Sequence, residues 1–229
     1  LQLFLAFHSP SPFFSTYRII AMKIYTTLSA LKAIAILAAD NDIRYYLNGV
    51  QITANATETR LAATDGHVLG IHRSEQQNEN IDFVEFILPL DVIKLLKPAY
   101  KNIDSVVIDT DGLTGTITAV TGATINFSAI DGKFPDIQRV IPHRVSGEVS
   151  QFKPALLDRF AKAAKLLGSK NQLIHVAHNG NSAALVHLDV SASFVGVVMP
   201  FRSFADDGES KSPPAWAINP MQKPVANAA

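Results

Sequence analysis

One pattern recurs three times along this chain and narrows its possible folds more than any other feature. A short helical stripe of apolar residues is followed by strand-like runs divided by tight-turn dipeptides. Leu28, Leu31, Ile34 and Leu37 fall close to helical spacing and stop before Asp40-Asn41-Asp42. Val92, Leu95, Leu96 and Ala99 repeat the stripe after Pro89, a residue suited to a helix start. Leu156, Leu157, Phe160, Ala163, Ala164 and Leu167 form the clearest stripe, opened by Pro154 and stopped by Gly168. The three stripes begin about 60–65 residues apart, a period long enough to mark a repeat architecture.

Strand-like residues follow each stripe: 43–53, 60–64 and 68–72 after the first, 105–110, 113–119 and 124–130 after the second, 172–178, 183–188 and 194–199 after the third. Asp65-Gly66, Asp111-Gly112, Thr121-Gly122 and Asn179-Gly180 lie between successive runs. Asp-Gly and Asn-Gly favour tight hairpins because both residues tolerate positive φ. Asn48-Gly49 falls inside a run and reads as a bulge. With a short strand ahead of each helix, the expected class is α+β: one helix packed on antiparallel strands, three times over. One helix covers one face of a small sheet and leaves its edges open, so strands of neighbouring units are expected to pair.

Composition removes several functions. With 48% hydrophobic residues among 229, the chain has material for a core, and disorder throughout is excluded. Twenty Lys and Arg balance twenty Asp and Glu, so bulk charge does not draw it to nucleic acid, although a local basic stripe can. It contains no cysteine, which excludes disulfides, thiol catalysis and Cys-ligated metals within it. No run reaches the roughly 18–20 apolar residues of a membrane span, and a cytoplasmic protein without membrane contact is expected. Residues 1–21 carry apolar clusters broken by His8, Pro10 and Pro12, without the order of a signal peptide. Met22-Lys23-Ile24-Tyr25 reads like a start followed by a strand, so residues 1–21 are expected to be an upstream or disordered extension. Residues 204–229, with Pro213-Pro214, Pro220 and Pro224, hold neither period and read as a disordered tail. Between them lie a domain of two units, 22–142, and a half domain of one unit, 147–203.

Catalytic signals are poor. Asp65-Gly66-His67 sets a carboxylate beside an imidazole, the pairing of acid–base catalysis, and defines a rival reading as a small hydrolase. The hairpin required by Asp-Gly accounts for the same residues without chemistry. His175 and His178 stand three apart, which on a strand puts them on opposite faces and away from a shared ion. No phosphate loop, dinucleotide fingerprint or nucleophile elbow occurs. No catalytic residue, metal or cofactor is expected.

Binding signals are better. Lys32 on the first helix, Lys94 and Lys97 on the second, and Arg159, Lys162 and Lys165 on the third place cations on all three polar sides. A solvated face explains any one helix; three together suit non-specific, salt-dependent contacts to the phosphates of duplex DNA. The run from Gly132 to Pro142 is extended and bounded by prolines, and Val198-Met199-Pro200-Phe201 closes the last strand. A Met and a Pro beside apolar strand ends suit a groove for varied apolar peptides.

Arg44-Tyr45-Tyr46-Leu47-Asn48-Gly49, Ala63-Thr64-Asp65-Gly66-His67, and Asp131-Gly132-Lys133-Phe134-Pro135-Asp136 with Arg139-Val140-Ile141-Pro142 resemble the middle domain of the bacterial sliding clamp, the β subunit of DNA polymerase III. Val198-Met199-Pro200-Phe201-Arg202 resembles the C-terminal end of the same family. The resemblance implies a DNA-clamp-like processivity fold of three half-domain units, helices turned toward duplex DNA, and an apolar pocket that takes a short peptide of a polymerase or related protein. The pocket positions it implies are Arg44 and Leu47; Thr64, Gly66, His67 and Leu69; Pro135, Arg139 and Val140; and Val197, Val198, Met199, Pro200 and Arg202. Val68 stands where the family commonly has Arg, Phe201 where it has Met, and Ser203 where it has Leu. The family's chain has six such units and closes a ring of twelve as a dimer. Three units here imply a homo-oligomer, a dimer pairing its third units, with two dimers supplying twelve. The alternative is a peptide-binding decoy of replication proteins that forms no ring.

Overall fold

The computed structural model describes residues 22–97, 104–120, 122–189 and 192–201. The expected extension 1–21, the expected tail 204–229, and Ala99, Arg202 and Ser203 lie outside the described residues. The first unit comprises β1 (Met22–Thr27), α1 (Leu28–Ala35), a 3₁₀ turn (Tyr45–Leu47), β2 (Gly49–Ala54), β3 (Thr59–Thr64) and β4 (Val68–Ser74). The second comprises β5 (Val84–Pro89), α2 (Leu90–Leu95), β6 (Ser105–Thr110), β7 (Thr114–Ala119) and β8 (Thr124–Ser128). After a 3₁₀ turn at Ile137–Arg139, the third comprises α3 (Pro154–Leu166), β9 (Ile174–Ala177), β10 (Ala184–Leu188) and β11 (Phe194–Val198). The helix-plus-antiparallel-sheet repeat expected from the sequence is present, with three corrections. The second stripe is shorter and turned: α2 ends at Leu95, which is 63% exposed, Leu90, Ile93 and Leu96 are the buried residues, and Lys97 lies beyond the helix.

The third unit has no leading strand: residues 141–153 run to α3 without one. The expected strand over residues 43–53 is also broken. Asn48 ties itself to Asp42 twice, its Oδ1 accepting from the Asp42 N–H at 2.9 Å and its Nδ2 donating to the Asp42 carbonyl at 2.9 Å. Those bonds curl the chain into the 3₁₀ turn, and β2 starts only at Gly49. Asn48-Gly49 is therefore a turn exit rather than a bulge. Gly49 serves close approach, because a Cβ there would stand 2.5 Å from Ile87 Cγ2 on β5.

Strands are exchanged between units. β1, which leads into α1, pairs with β6 in a four-stranded sheet ordered β1-β6-β7-β8. β5, which leads into α2, crosses the other way and pairs with β2. A seven-stranded sheet results, ordered β5-β2-β3-β4-β11-β10-β9. The third unit joins it through β11, antiparallel to β4 from Phe194↔His72 to Val198↔Val68. Each leading strand seals the first strand after the other unit's helix. β9, at the equivalent place in the third unit, forms the sheet's end.

The inner faces of both sheets and the helices share one apolar core. Thr27 caps α1, its Oγ1 accepting from the Ala30 N–H at 3.2 Å, and Asp104 takes up the Leu28 and Ser29 N–H groups. Leu28, Leu31 and Ile34 then face inward and are buried, as the stripe foretold. Phe160 of α3 is fully buried and meets Phe194 of β11 edge to face at 6.3 Å. A smaller cluster on the opposite face of the seven-stranded sheet joins Leu47, Ala62, Ile87 and Phe134. It pins the run after β8 across the sheet.

Candidate functional site

Strand parity builds the floor of a cleft. Register places Thr64 on β3, Leu69 on β4 and Val197 on β11 in one row across the sheet. Their odd–even phase turns them to the face opposite the helices, because side chains alternate along a strand. Phe134 anchors the crossing segment, which brings Pro135, Ile137 and Val140 over that row. Leu47 and Tyr46 close one side and Met199 the other. The enclosed cavity measures about 230 Å³. Its floor is dry, with Leu69 and Val197 each 3% exposed, while Met199 at 37% and Val140 at 47% form an open apolar rim.

The turn between β3 and β4 is held from several directions. Gly66 takes φ +93°, open to glycine at no steric cost. Asp65 Oδ1 accepts from the His67 N–H at 2.7 Å and the Val68 N–H at 2.9 Å. Thr64 Oγ1 donates to the Val68 carbonyl at 2.6 Å and accepts from the Gly66 N–H at 3.0 Å. The same bonds recur at Thr110-Asp111-Gly112, between β6 and β7. The Asp65 turn is thus a local motif of this sequence, and Asp65 and His67 serve its geometry. Met199 N–H donates to the His67 carbonyl at 2.8 Å, so the turn is also bound to the third unit.

Charge frames the cleft. Arg44 grips Asp42 through Nε at 3.0 Å and Nη2 at 2.7 Å, and Nη2 also donates to the Asp65 carbonyl at 3.0 Å. That side-chain bond from Arg44 holds the Asp42 carboxyl at about 2. Burial pushes the Asp65 carboxyl up, but the Val68 and His67 N–H groups and the Arg159 charge outweigh it, and the net direction is downward.

Most of the expected pocket residues meet here: Arg44, Leu47, Thr64, Gly66, His67, Leu69, Pro135, Val140, Val197 and Met199 all line the cavity. Val198 does not. One position from Val197, it faces the other way and is fully buried in the core. Arg139 turns along its own 3₁₀ turn to Asp136, Nε to Oδ2 at 2.9 Å, and Pro200 stands outside the lining. Tyr46, Asp136 and Ile137 line the cavity without being among the expected pocket positions, as does Val68, noted above only as a departure from the family's Arg. Tyr46 and Asp136 sit inside the motifs already quoted, so adjacency was the available signal.

The expected DNA-facing cations divide. A second cavity, about 930 Å³, lies among the three helices and is walled by Lys32, Lys94 and Arg159 together with Asp40, Asp42 and Leu166. Lys94 is paired with Asp40 at 3.3 Å and Asp91 at 3.4 Å, and Lys162 with Asp158 at 2.7 Å. Lys97 and Lys165 are exposed, and Lys32 is half-exposed. Arg159 departs from the expected role: its guanidinium turns inward to Asp65 and to the carbonyls of Ile36 and Ala38. A partly buried guanidinium whose three nitrogens each already donate within the protein has less to offer a phosphate.

A family model of the DNA polymerase III beta subunit, central domain, matches residues 23–136. The chain belongs to the sliding-clamp family. It is 32% identical over 143 residues to the beta sliding clamp of Pseudomonas aeruginosa, covering 58% of this chain and 36% of the relative. To the beta sliding clamp of Escherichia coli (strain K12) it is 31% identical over 153 residues, covering 62% of this chain and 41% of the relative. The match therefore spans about two-fifths or less of the length of these relatives. The fold agrees more widely. The crystal structure of the DNA polymerase III subunit beta from Pseudomonas aeruginosa superposes with a TM-score of 0.60 at 22% identity, over 79% of this chain and 66% of that one. The beta subunit from Thermotoga maritima gives 0.55 at 16% identity, over 80% and 66%. The structural likeness extends beyond the matched central domain, in keeping with an α+β clamp fold.

Proposed function

We propose that this chain is a clamp-type replication processivity factor whose cleft captures a short apolar peptide of a DNA polymerase or related protein. The observation that carries the reading is the Thr64–Leu69–Val197 floor, completed only where β4 meets β11. The first and third units must be docked for it to exist, and that junction is intact. A dry floor with an open apolar rim suits peptide anchors that are desolvated one at a time. The helix side, which presents the exposed Lys97 and Lys165 and the half-exposed Lys32, would meet duplex DNA by phosphate contacts alone. The protein would act in the cytoplasm, as a homo-oligomer without membrane contact, with no catalytic residue or cofactor of its own. Residues 22–142 would form one clamp-like domain and 147–203 half of another.

Fluorescence anisotropy with a labelled short peptide bearing Leu and Phe anchors tests the cleft; saturable binding supports it and none refutes it. Among the described residues β9 ends the seven-stranded sheet, and that edge favours self-association over the decoy that forms no ring. Sedimentation across a wide concentration range is expected to show a dimer. Leu173→Lys, beside β9 at a position 51% exposed, is expected to shift it toward monomer by setting a charge at the edge.

A further inference from the structure

We infer that Arg159, on the helix of the third unit, is a positioning residue for the peptide cleft: it holds the Thr64–Val68 turn of the first unit in its binding shape by acting through Asp65. This rests on the peptide-binding reading above. Arg159 does not line the cleft. Its Nε donates to the Ile36 carbonyl and its Nη2 to the Ala38 carbonyl, both at 2.8 Å, while Nη1 pairs with Asp65 Oδ2. The two carbonyls belong to the C-cap of α1 and to the turn just after it, at the helix end that favours a cation. The side chains of Arg159 and Asp65 are 21% and 19% exposed, so the pair is shielded from much of the screening that weakens surface ion pairs.

Asp65 divides its two oxygens between two tasks. Oδ1 shapes the turn through the His67 and Val68 N–H groups, and Oδ2 is anchored to α3. The remaining titratable neighbours are Arg44, which donates to the Asp65 carbonyl, and His67, whose Nδ1 lies 4.0 Å from Oδ1. Thr64, Gly66, His67 and Val68 form one wall of the cleft, and Val197 and Met199 of the third unit contribute to another. The third unit therefore grips this turn twice, through Arg159 from α3 and through the Met199 N–H from the end of β11. Without the Arg159 grip, the turn keeps its internal bonds but loses its fixed placement against Val197 and Met199.

The test compares Arg159→Gln, Asp65→Asn and the double variant, each titrated by anisotropy against the same labelled Leu/Phe peptide, with circular dichroism to confirm the fold. Asparagine keeps an oxygen for the two turn N–H groups and replaces the charged acceptor that Arg159 holds with an amide nitrogen that cannot accept. Each single change is expected to weaken binding about 10-fold, with the double variant no weaker than either, the mark of two groups acting as one unit. Arg159→Lys, which keeps charge without the fork, is expected to recover part of the loss seen with Gln. Unchanged affinity in Arg159→Gln overturns the inference. So does a double variant whose loss is the product of the single losses. Should Arg159→Gln fail to fold, Arg159→Lys and Asp65→Asn decide: wild-type affinity in both overturns the inference. A wild-type chain that binds no peptide overturns the peptide-binding reading and this inference with it, whereas tight wild-type binding with indifferent variants overturns this inference alone.

Discussion

Gly70 and Gly196 face each other across β4 and β11, on the inner side of the strand pair that joins the first unit to the third. Leu37 and Phe160 occupy the space their missing side chains leave: a Cβ on Gly70 would collide with Leu37 Cδ1, and one on Gly196 would stand 2.5 Å from Phe160 Cε1. The pair of glycines lets the end of the first helix region and α3 settle directly on the junction, behind the cleft floor. Gly196→Ala is expected to destabilise the protein by about 1–3 kcal/mol through overpacking against Phe160. Chemical denaturation checks this, and an unchanged midpoint would contradict it.

Parity separates two adjacent valines. Val197 floors the cleft and Val198 lies in the core. Val198→Ala is expected to cost about 2 kcal/mol of stability, from lost burial and the space left behind, with peptide affinity nearly unchanged. Met199→Ala, on the rim, is expected to do the reverse, weakening the peptide by about 1–3 kcal/mol at little cost to stability. Paired unfolding and anisotropy curves read both effects.

Acid should loosen the Asp65 turn. The Asp65 carboxyl is held below its ordinary value in the folded chain. Its contribution is therefore complete above the unfolded carboxylate range and is lost as pH falls through the depressed folded value. Unfolding midpoints measured from about pH 5 to pH 2 should fall more steeply in the wild type than in Asp65→Asn, which has no such proton to bind. Parallel curves would show that Asp65 does not contribute.

Duplex DNA binding should follow the exposed cations. If Lys32, Lys97 and Lys165 each neutralise one phosphate, each Ala substitution should reduce the steepness of log K against log salt by about 0.9. Arg159→Gln should leave that slope unchanged, because its guanidinium is engaged inside the protein. A slope that responds to Arg159 and not to Lys165 would reverse the assignment.

The sequence by itself determined the local pieces. Leu28, Leu31 and Ile34 had to face one way once helical, and Asp65-Gly66 had to turn, because both depend on neighbours a few residues apart. The alternation that sets Val197 against Val198 was equally local, although the family resemblance had placed both in the pocket. Tertiary structure decided the rest. That β1 and β5 change places between units follows from pairing at long separation, which no local pattern encodes. Arg159 looked like one more cation on a polar helix face, yet its partners Asp65, Ile36 and Ala38 lie 94 to 123 residues away in the chain. Only docking of α3 on the end of α1 brings those acceptors within reach, and a guanidinium leaving water binds where carbonyls and a carboxylate already wait.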